Sequence, residues 1–123
     1  MKEPKTIMID EQKYVRADSI QSPAEPVNGM RYCIVRCHDA GVHAGFVKEQ
    51  IGREVVLLHT RRLWRWHGRT LSGLALEGTD DAKQCKFASE IAEIKVLDAC
   101  EVIPCTAKAI KSIRFEVEEW TND

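Results

Sequence analysis

Residues 31–66 have the sequence RYCIVRCHDAGVHAGFVKEQIGREVVLLHTRRLWRW, and this stretch decides the fold. Segments at 32–37, 42–47, 54–59 and 61–66 are rich in apolar, β-branched or aromatic residues, and turns are predicted at 38–41 and 48–53. This spacing predicts four consecutive antiparallel strands, a meander. Gly45 interrupts the second segment, which is typical of a bulge or bend where a small sheet curls.

The segments before this block predict a simple domain organisation. Residues 6–9 and 13–16 flank a polar turn and predict an N-terminal hairpin. The next segment is rich in Ser, Pro, Asn and Gly, which is typical of a flexible connector. We therefore expect one domain over 1–123, with a hairpin at 1–16, a connector at 17–29 and a core at 30–123.

The C-terminal half predicts two short helices and two further strands. Thr70 and Gly78 are placed to begin and end the first helix, and Thr106 to begin the second. Strands are expected at 92–97 and 101–103. The expected fold class is α+β, mainly antiparallel β, with a small curled sheet or an SH3-like barrel and two short helices. The helix residues predicted to face inward are Leu71, Leu74, Ala75, Ala107, Ile110 and Ile113.

Composition sets limits on function. The 123 residues are 44% hydrophobic and 30% charged, with a net charge of −1, so the whole molecule does not resemble a nucleic-acid binder. No secretory signal or apolar run long enough for a membrane span is visible, so we expect a cytoplasmic protein with no membrane partner. Five cysteines, an odd number, predict reduced thiols that mostly fill the core.

The most concentrated chemistry lies at 61–69, which holds four arginines and two tryptophans. In an extended strand Arg62, Trp64 and Trp66 would share one face, and Arg61, Leu63, Arg65 and His67 the other. Such residues suit packing and oligomer contacts, a protein partner, or a nucleotide or nucleic acid, and all three uses stay open. The candidate binding residues are Arg61, Arg62, Trp64, Arg65, Trp66 and Arg69.

His43 is a further candidate because glycines lie on both sides of it, at positions 41 and 45. The glycines could bring a ligand or another chain close to the backbone, with the imidazole as a polar contact. The alternative is a tight turn followed by a bulge, with His43 at the surface. The sequence leaves both interpretations open.

Motifs for catalysis or metal binding are missing from the sequence. The Cys and His spacings match no common zinc framework. No nucleophile motif or phosphate-binding glycine loop occurs, and the adjacent carboxylates are typical of solvated surface. We therefore expect no enzyme activity, no catalytic residues, no metal and no cofactor.

Six short motifs of the core are found together at 32–36, 40–45, 54–57, 61–66, 71–78 and 103–106. Together they resemble a family of small phage and prophage proteins known only as a domain of unknown function. The resemblance covers roughly 31–120, and it implies a viral or prophage origin but no activity. At the level of fold, the bent strands with a Gly-x3-Gly pattern are similar to SH3-like and Sm-like small barrels, which often form rings.

These observations lead to a functional hypothesis of binding without catalysis. We expect a homo-oligomeric phage-type protein in the host cytoplasm, acting as an inhibitor or sequestering factor against a host defence component. Its partner could be a host protein or a small anionic, nucleotide-like ligand. The alternatives are a nucleic-acid-binding accessory protein that uses the Arg/Trp strand at 61–69, and a purely structural oligomer.

Overall fold

The structure is a computed structural model that describes residues 6–9, 12–15 and 22–121. Within these ranges it contains eight strands, two α-helices, one short 3₁₀ turn and one turn of π-helix. The strands are β1 Thr6–Ile9, β2 Gln12–Val15, β3 Tyr32–Cys37, β4 Val42–Ile51, β5 Glu54–Arg65, β6 Lys86–Phe87, β7 Ile91–Val96 and β8 Ala99–Pro104. The helices are α1 Leu71–Glu77 and α2 Ala107–Lys111, the 3₁₀ turn is Ala82–Gln84, and the π-helix is Ser112–Glu116.

Strand β5 is the centre of the main antiparallel sheet. One edge of β5 pairs with β4, and its other edge pairs with β7 along residues 55–60 and with β6 near Leu63. Strand β3 pairs with β4 and with β8, so the order is β6-β5-β4-β3-β8, with β7 beside β5. The six-stranded sheet is curled but not closed. The predicted α+β class, mainly antiparallel β, is confirmed, and of its two forms the curled sheet applies.

A bulge in the β4–β5 pair decides which side chains of β5 face which side of the sheet. Ala44 pairs with Arg61, but Phe46 pairs with Leu58, so two residues of β5 oppose Gly45. A β-carbon at Gly45 would lie 2.8 Å from Thr60 Cβ, which is why the predicted glycine bulge requires glycine. His59, inside the bulge, adopts a φ of 49°.

The bulge divides the core into two clusters on opposite sides of the sheet. Before it, Val55 and Leu57 belong to a cluster enclosed by the curl, together with Val35 and Val96. After it, the odd-numbered residues of β5 change sides, and Leu63 packs under the helices. This second cluster contains Tyr32, Ile34, Phe46, Leu74, Ala75, Phe87, Ala109 and Ile113.

Local signals for the two helices are confirmed. The Thr70 hydroxyl accepts a hydrogen bond from the Gly73 amide, and the Thr106 hydroxyl accepts one from the Ala109 amide. Gly78 donates its amide to the Leu74 carbonyl at the end of α1, with a φ of 76°. The prediction that Ala107 faces inward is wrong, since Ala109 fills the core position on α2 and Ala107 is exposed.

Three strand boundaries differ from the sequence prediction. The segments at 54–59 and 61–66 are one strand, because a bulge rather than a turn absorbs the irregularity at His59. Strand β4 continues to Ile51, so only Gly52 and Arg53 form the turn. Strand β6 at Lys86–Phe87, which pairs with β5, is not among the strands predicted from the sequence.

At the N-terminus, β1 and β2 pair antiparallel, with Thr6 opposite Val15. The predicted connector at 17–29 falls partly outside the described residues. In its described part, the Ala24 amide donates to the Cys105 carbonyl, and a tight turn joins Val27 to Met30. None of the helices in the described ranges has the length and apolarity needed to cross a membrane.

Candidate functional site

Two strand pairings build a groove around Arg62. The β4–β5 pairing places His43 opposite Arg62, and the β5–β7 pairing places Ile91 opposite Thr60. A cavity of about 270 Å³ opens between them, and an adjacent cavity of about 480 Å³ continues towards the turn at Asp98. Because Arg62 and Ile94 line both cavities, we describe the two together as the Arg62 groove.

Arg62 and Trp64 form a cationic and aromatic pair at the centre of the groove. The guanidinium carbon of Arg62 lies 5.3 Å from the centre of the Trp64 ring. Within the described part of the chain, this guanidinium has no hydrogen-bond or ion-pair partner. Trp64 is 56% exposed, and the wall beside it is apolar, with Ile91 and Ile94. The pair therefore presents unused hydrogen-bond donors next to a flat apolar surface.

His43 lies beneath the groove and is 1% exposed. Its Nε2 lies 2.8 Å from the Ala40 carbonyl oxygen, which it reaches as a donor. Burial lowers the pKa of His43, and the Arg62 charge lowers it further, against opposing effects from the Ala40 hydrogen bond and Asp98. The ring is therefore neutral at pH 7, with Nδ1 as its acceptor. The alternative that placed His43 at the surface is wrong, because the folded chain leaves only 1% of this residue exposed.

The lowered pKa of His43 predicts a pH-dependent stability. The unfolded chain takes up a proton near the ordinary histidine pKa while the folded chain does not, so this contribution to stability is present above that pKa and lost as pH falls. We expect the free energy of unfolding, measured by urea titration, to fall more from pH 7.5 to 5.5 in the native chain than in His43→Gln. Asp98 has a pKa held below its usual range by backbone hydrogen bonds, so it stays ionised throughout this window. Equal pH slopes for the two proteins would contradict the prediction.

Arg61, a predicted binding residue, lies in the interior instead. The guanidinium donates to the carbonyl oxygens of Ala88, Ile113 and Val117, each at 2.7 Å, and to that of Phe87 at 3.3 Å. Only 3% of Arg61 is exposed, so its donors hold the chain together and do not face a partner. Its neighbour Arg62 reaches the groove because adjacent residues of a strand point to opposite sides.

The remaining predicted residues lie outside the groove. Strand β5 ends at Arg65, and Trp66 turns back against the helical core, where its Nε1 donates to the Arg69 carbonyl. Trp66 therefore does not share a surface with Trp64. Arg65 is exposed on β5 and does not line either cavity, and Arg69 is half-buried at the start of α1.

The sequence analysis did not identify several residues that line the groove. Thr60, Ser89, Ile91 and Ile94 line the smaller cavity with His43 and Arg62. The Thr60 hydroxyl is buried and has no hydrogen-bond partner within the described residues. No local pattern marks these positions, because the β5–β7 pairing joins residues 31 to 41 positions apart.

Other sites in the described residues fit a ligand less well. A cavity of about 400 Å³ is lined by three carboxylates, those of Glu116, Glu118 and Glu119, together with Lys83 and Trp120, so it suits an anionic ligand less well. Within the described ranges, no group of three His, Cys, Asp or Glu side chains could hold a metal ion. All five cysteines are free, and four are buried. Burial raises the pKa of Cys33 to about 11 and that of Cys105 to about 12, so these thiols stay protonated.

The structure defines a small α+β protein in which a curled, open antiparallel sheet supports two short helices and presents the Arg62 groove. The chain belongs to the family described as Domain of unknown function (DUF6948), whose model matches residues 30–113. The predicted membership of a domain-of-unknown-function family is thereby confirmed. No curated protein and no solved structure matches the chain.

Proposed function

We propose that this chain is a non-enzymatic, homo-oligomeric binding protein that holds a small anionic, nucleotide-like ligand in the Arg62 groove. The observation that carries the proposal is the Arg62 guanidinium, which lies over the Trp64 ring where two cavities meet and has no partner in the described residues. An unpaired, half-buried arginine beside an aromatic ring suits the binding of an anionic group joined to a planar one.

The proposal that the protein is not an enzyme is supported by the hydrogen bonds that His43 and Asp98 make within the protein. His43 donates to the Ala40 carbonyl, and the Asp98 carboxylate accepts hydrogen bonds from the backbone amides of Asp39 and Ala40. These bonds fix the turn between β3 and β4. His43 and Asp98, which could act as an acid or a base, therefore make structural hydrogen bonds, and Arg62 binds the ligand.

The biological role follows from the sequence resemblance to phage and prophage proteins. In a host cytoplasm, a protein that holds a small anionic molecule would act as a sequestering factor or inhibitor against a host defence component. An oligomer would use exposed apolar side chains outside the groove, such as Phe115, 71% exposed, and Ile51, 67% exposed.

The two other roles have weaker support. A nucleic-acid-binding role would use a row of arginines and stacked tryptophans, but Arg61 is committed to four carbonyls and Trp66 packs on the core. A purely structural oligomer would leave Arg62 without a partner even though it lines two cavities. A host protein as the partner would use the same exposed Trp64 surface.

The first test compares Arg62→Ala with Arg65→Ala, a control that removes the same charge from the same strand outside the groove. Native mass spectrometry of protein purified from its expression host should show an oligomer with a small extra mass that is lost on denaturation. We expect Arg62→Ala to lose this mass and to bind the released ligand about 10- to 100-fold more weakly, as for loss of a charged hydrogen bond. Arg65→Ala should retain it.

An adduct kept equally by both variants would place the ligand elsewhere and contradict the assignment of the groove. A bare protein with no adduct would argue against sequestration of a host molecule. A pull-down from host extract with the native chain and with Trp64→Ala would then test for a protein partner.

A further inference from the structure

We propose that the Arg62 groove selects a ligand with one phosphate group joined to one planar base, a nucleoside monophosphate, over nucleoside polyphosphates and nucleic-acid strands. The inference rests on the proposed function and deepens it by naming the ligand class. Three observations carry it: the number of free cations in the groove, the acidic end of the larger cavity, and the apolar wall of the smaller one.

Among the described residues that line the groove, Arg62 is the one cation without an ion-pair partner. Arg62 lines both cavities and has no partner in the described residues. Lys95 also lines the larger cavity, but its Nζ lies 3.1 Å from a Glu54 carboxylate oxygen. One guanidinium can form two parallel hydrogen bonds with a single phosphate. Further phosphates on the same ligand would have only Lys95 as a cation, and its charge is shared with Glu54.

The larger cavity ends in negative charge. Asp39 and Asp98 line this end, beside Arg62. Backbone hydrogen bonds from Asp39 and Ala40 hold the pKa of Asp98 below its usual range, so the carboxylate is ionised at neutral pH. A ligand that extended a second or third phosphate from Arg62 in this direction would meet like charge. A nucleic-acid strand passing through the groove would meet the same repulsion.

The smaller cavity is shaped for a flat, mostly apolar group. Trp64, Ile91 and Ile94 form its wall, and a base can stack there because every base has a π-face. Two polar groups line the same cavity: the Thr60 hydroxyl, which is buried and unpartnered, and the neutral His43 ring. Both can accept a hydrogen bond, so an amino-bearing base such as adenine suits them better than an unsubstituted ring.

The test is calorimetric titration of the full-length chain with adenosine, AMP, ATP and a ten-nucleotide single-stranded DNA, in the same buffer and salt. We expect AMP to bind about 10- to 100-fold more tightly than adenosine, because it gains the charged hydrogen bonds to Arg62. ATP and the oligonucleotide should bind no more tightly than AMP. Arg62→Ala should bring AMP to the affinity of adenosine, whereas Arg65→Ala should change neither.

Asp39→Asn tests the acidic end separately. The Asp39 side chain is 85% exposed, so the change should leave the fold intact. It should strengthen ATP binding several-fold and AMP binding less, because only ATP extends towards this end.

The outcomes distinguish this inference from the proposed function. Tighter binding of ATP or of the oligonucleotide, with Arg62 still required, would overturn the monophosphate selectivity and leave the groove as the anion site. Equal affinity of adenosine and AMP would also overturn it. Failure of all four ligands, together with an adduct that does not depend on Arg62, would remove the proposed function itself.

Discussion

Arg61→Met should lower the free energy of unfolding by about 3–5 kcal/mol, because several buried carbonyl oxygens lose a charged donor, and each unsatisfied group costs about 1–3 kcal/mol. The guanidinium joins β5 to the Phe87–Ala88 segment and to the carbonyl oxygens of Ile113 and Val117. Methionine fills a similar volume but donates nothing, so the carbonyls of Ala88, Ile113 and Val117 lose this donor, while the Phe87 carbonyl keeps its bond from the Trp120 amide. Burial also lowers the pKa of Arg61, against smaller opposing effects from Tyr32, Glu90 and Glu119.

Urea titration followed by tryptophan fluorescence measures this effect, with Arg65→Ala as the exposed control on the same strand. We expect the control to change stability by no more than about 0.5 kcal/mol. Arg61→Lys should fall between the two, because an ammonium keeps the charge but cannot reach all the carbonyls at once. A loss below about 1 kcal/mol for Arg61→Met would show that these hydrogen bonds matter little to the fold.

Gly78→Ala should destabilise the protein by about 2–4 kcal/mol, since backbone strain and a steric clash act together. Gly78 ends α1 with φ 76° and ψ −170°, a conformation that is essentially confined to glycine. A β-carbon there would also overlap the side chain of Ser112. That hydroxyl accepts a hydrogen bond of 3.0 Å from the Thr79 amide, so Ser112 cannot move away without a further loss.

Gly29→Ala separates the two contributions. Gly29 has a similar φ of 78°, but a β-carbon at this position would meet no atom within 4 Å. We expect this control to lose about 1 kcal/mol from strain alone. Thermal unfolding of both variants measures the difference, and equal losses would mean that the contact with Ser112 is unimportant.

Features set by neighbouring residues could be predicted from the sequence. Thr70 and Gly78 bound the first helix because a hydroxyl cap and a left-handed glycine act on the backbone within a turn or two. The bulge at Gly45 and a strand at 92–97, observed as β7 at Ile91–Val96, were predicted from similarly local signals. The separation of Arg61 from Arg62 on opposite faces followed from the two-residue period of a strand.

The candidate site could be predicted only in part. His43, Arg62 and Trp64 were identified from glycine spacing and from the density of arginine and tryptophan, and the structure brings these three together. Trp66 and Arg61 were placed in the same site because residue type does not show which side of a strand is buried. Nothing in the sequence around residues 61–69 predicted that β7 pairs with β5 and lines the groove.

The sequence by itself determined an α+β class, both ends of α1, the start of α2 and the positions of β3 and β4, because each depends on residues that are close along the chain. It divided the single strand β5 into two. The tertiary structure decided the rest. The Gly45 bulge shifts the register of β5, which buries Arg61 under the helices and leaves Arg62 at the groove. The pairing of β7 with β5 then supplies the opposite wall. Register and long-range pairing depend on how whole faces of the sheet pack, and neighbouring residues do not determine this packing. Two adjacent arginines, Arg61 and Arg62, therefore have opposite environments.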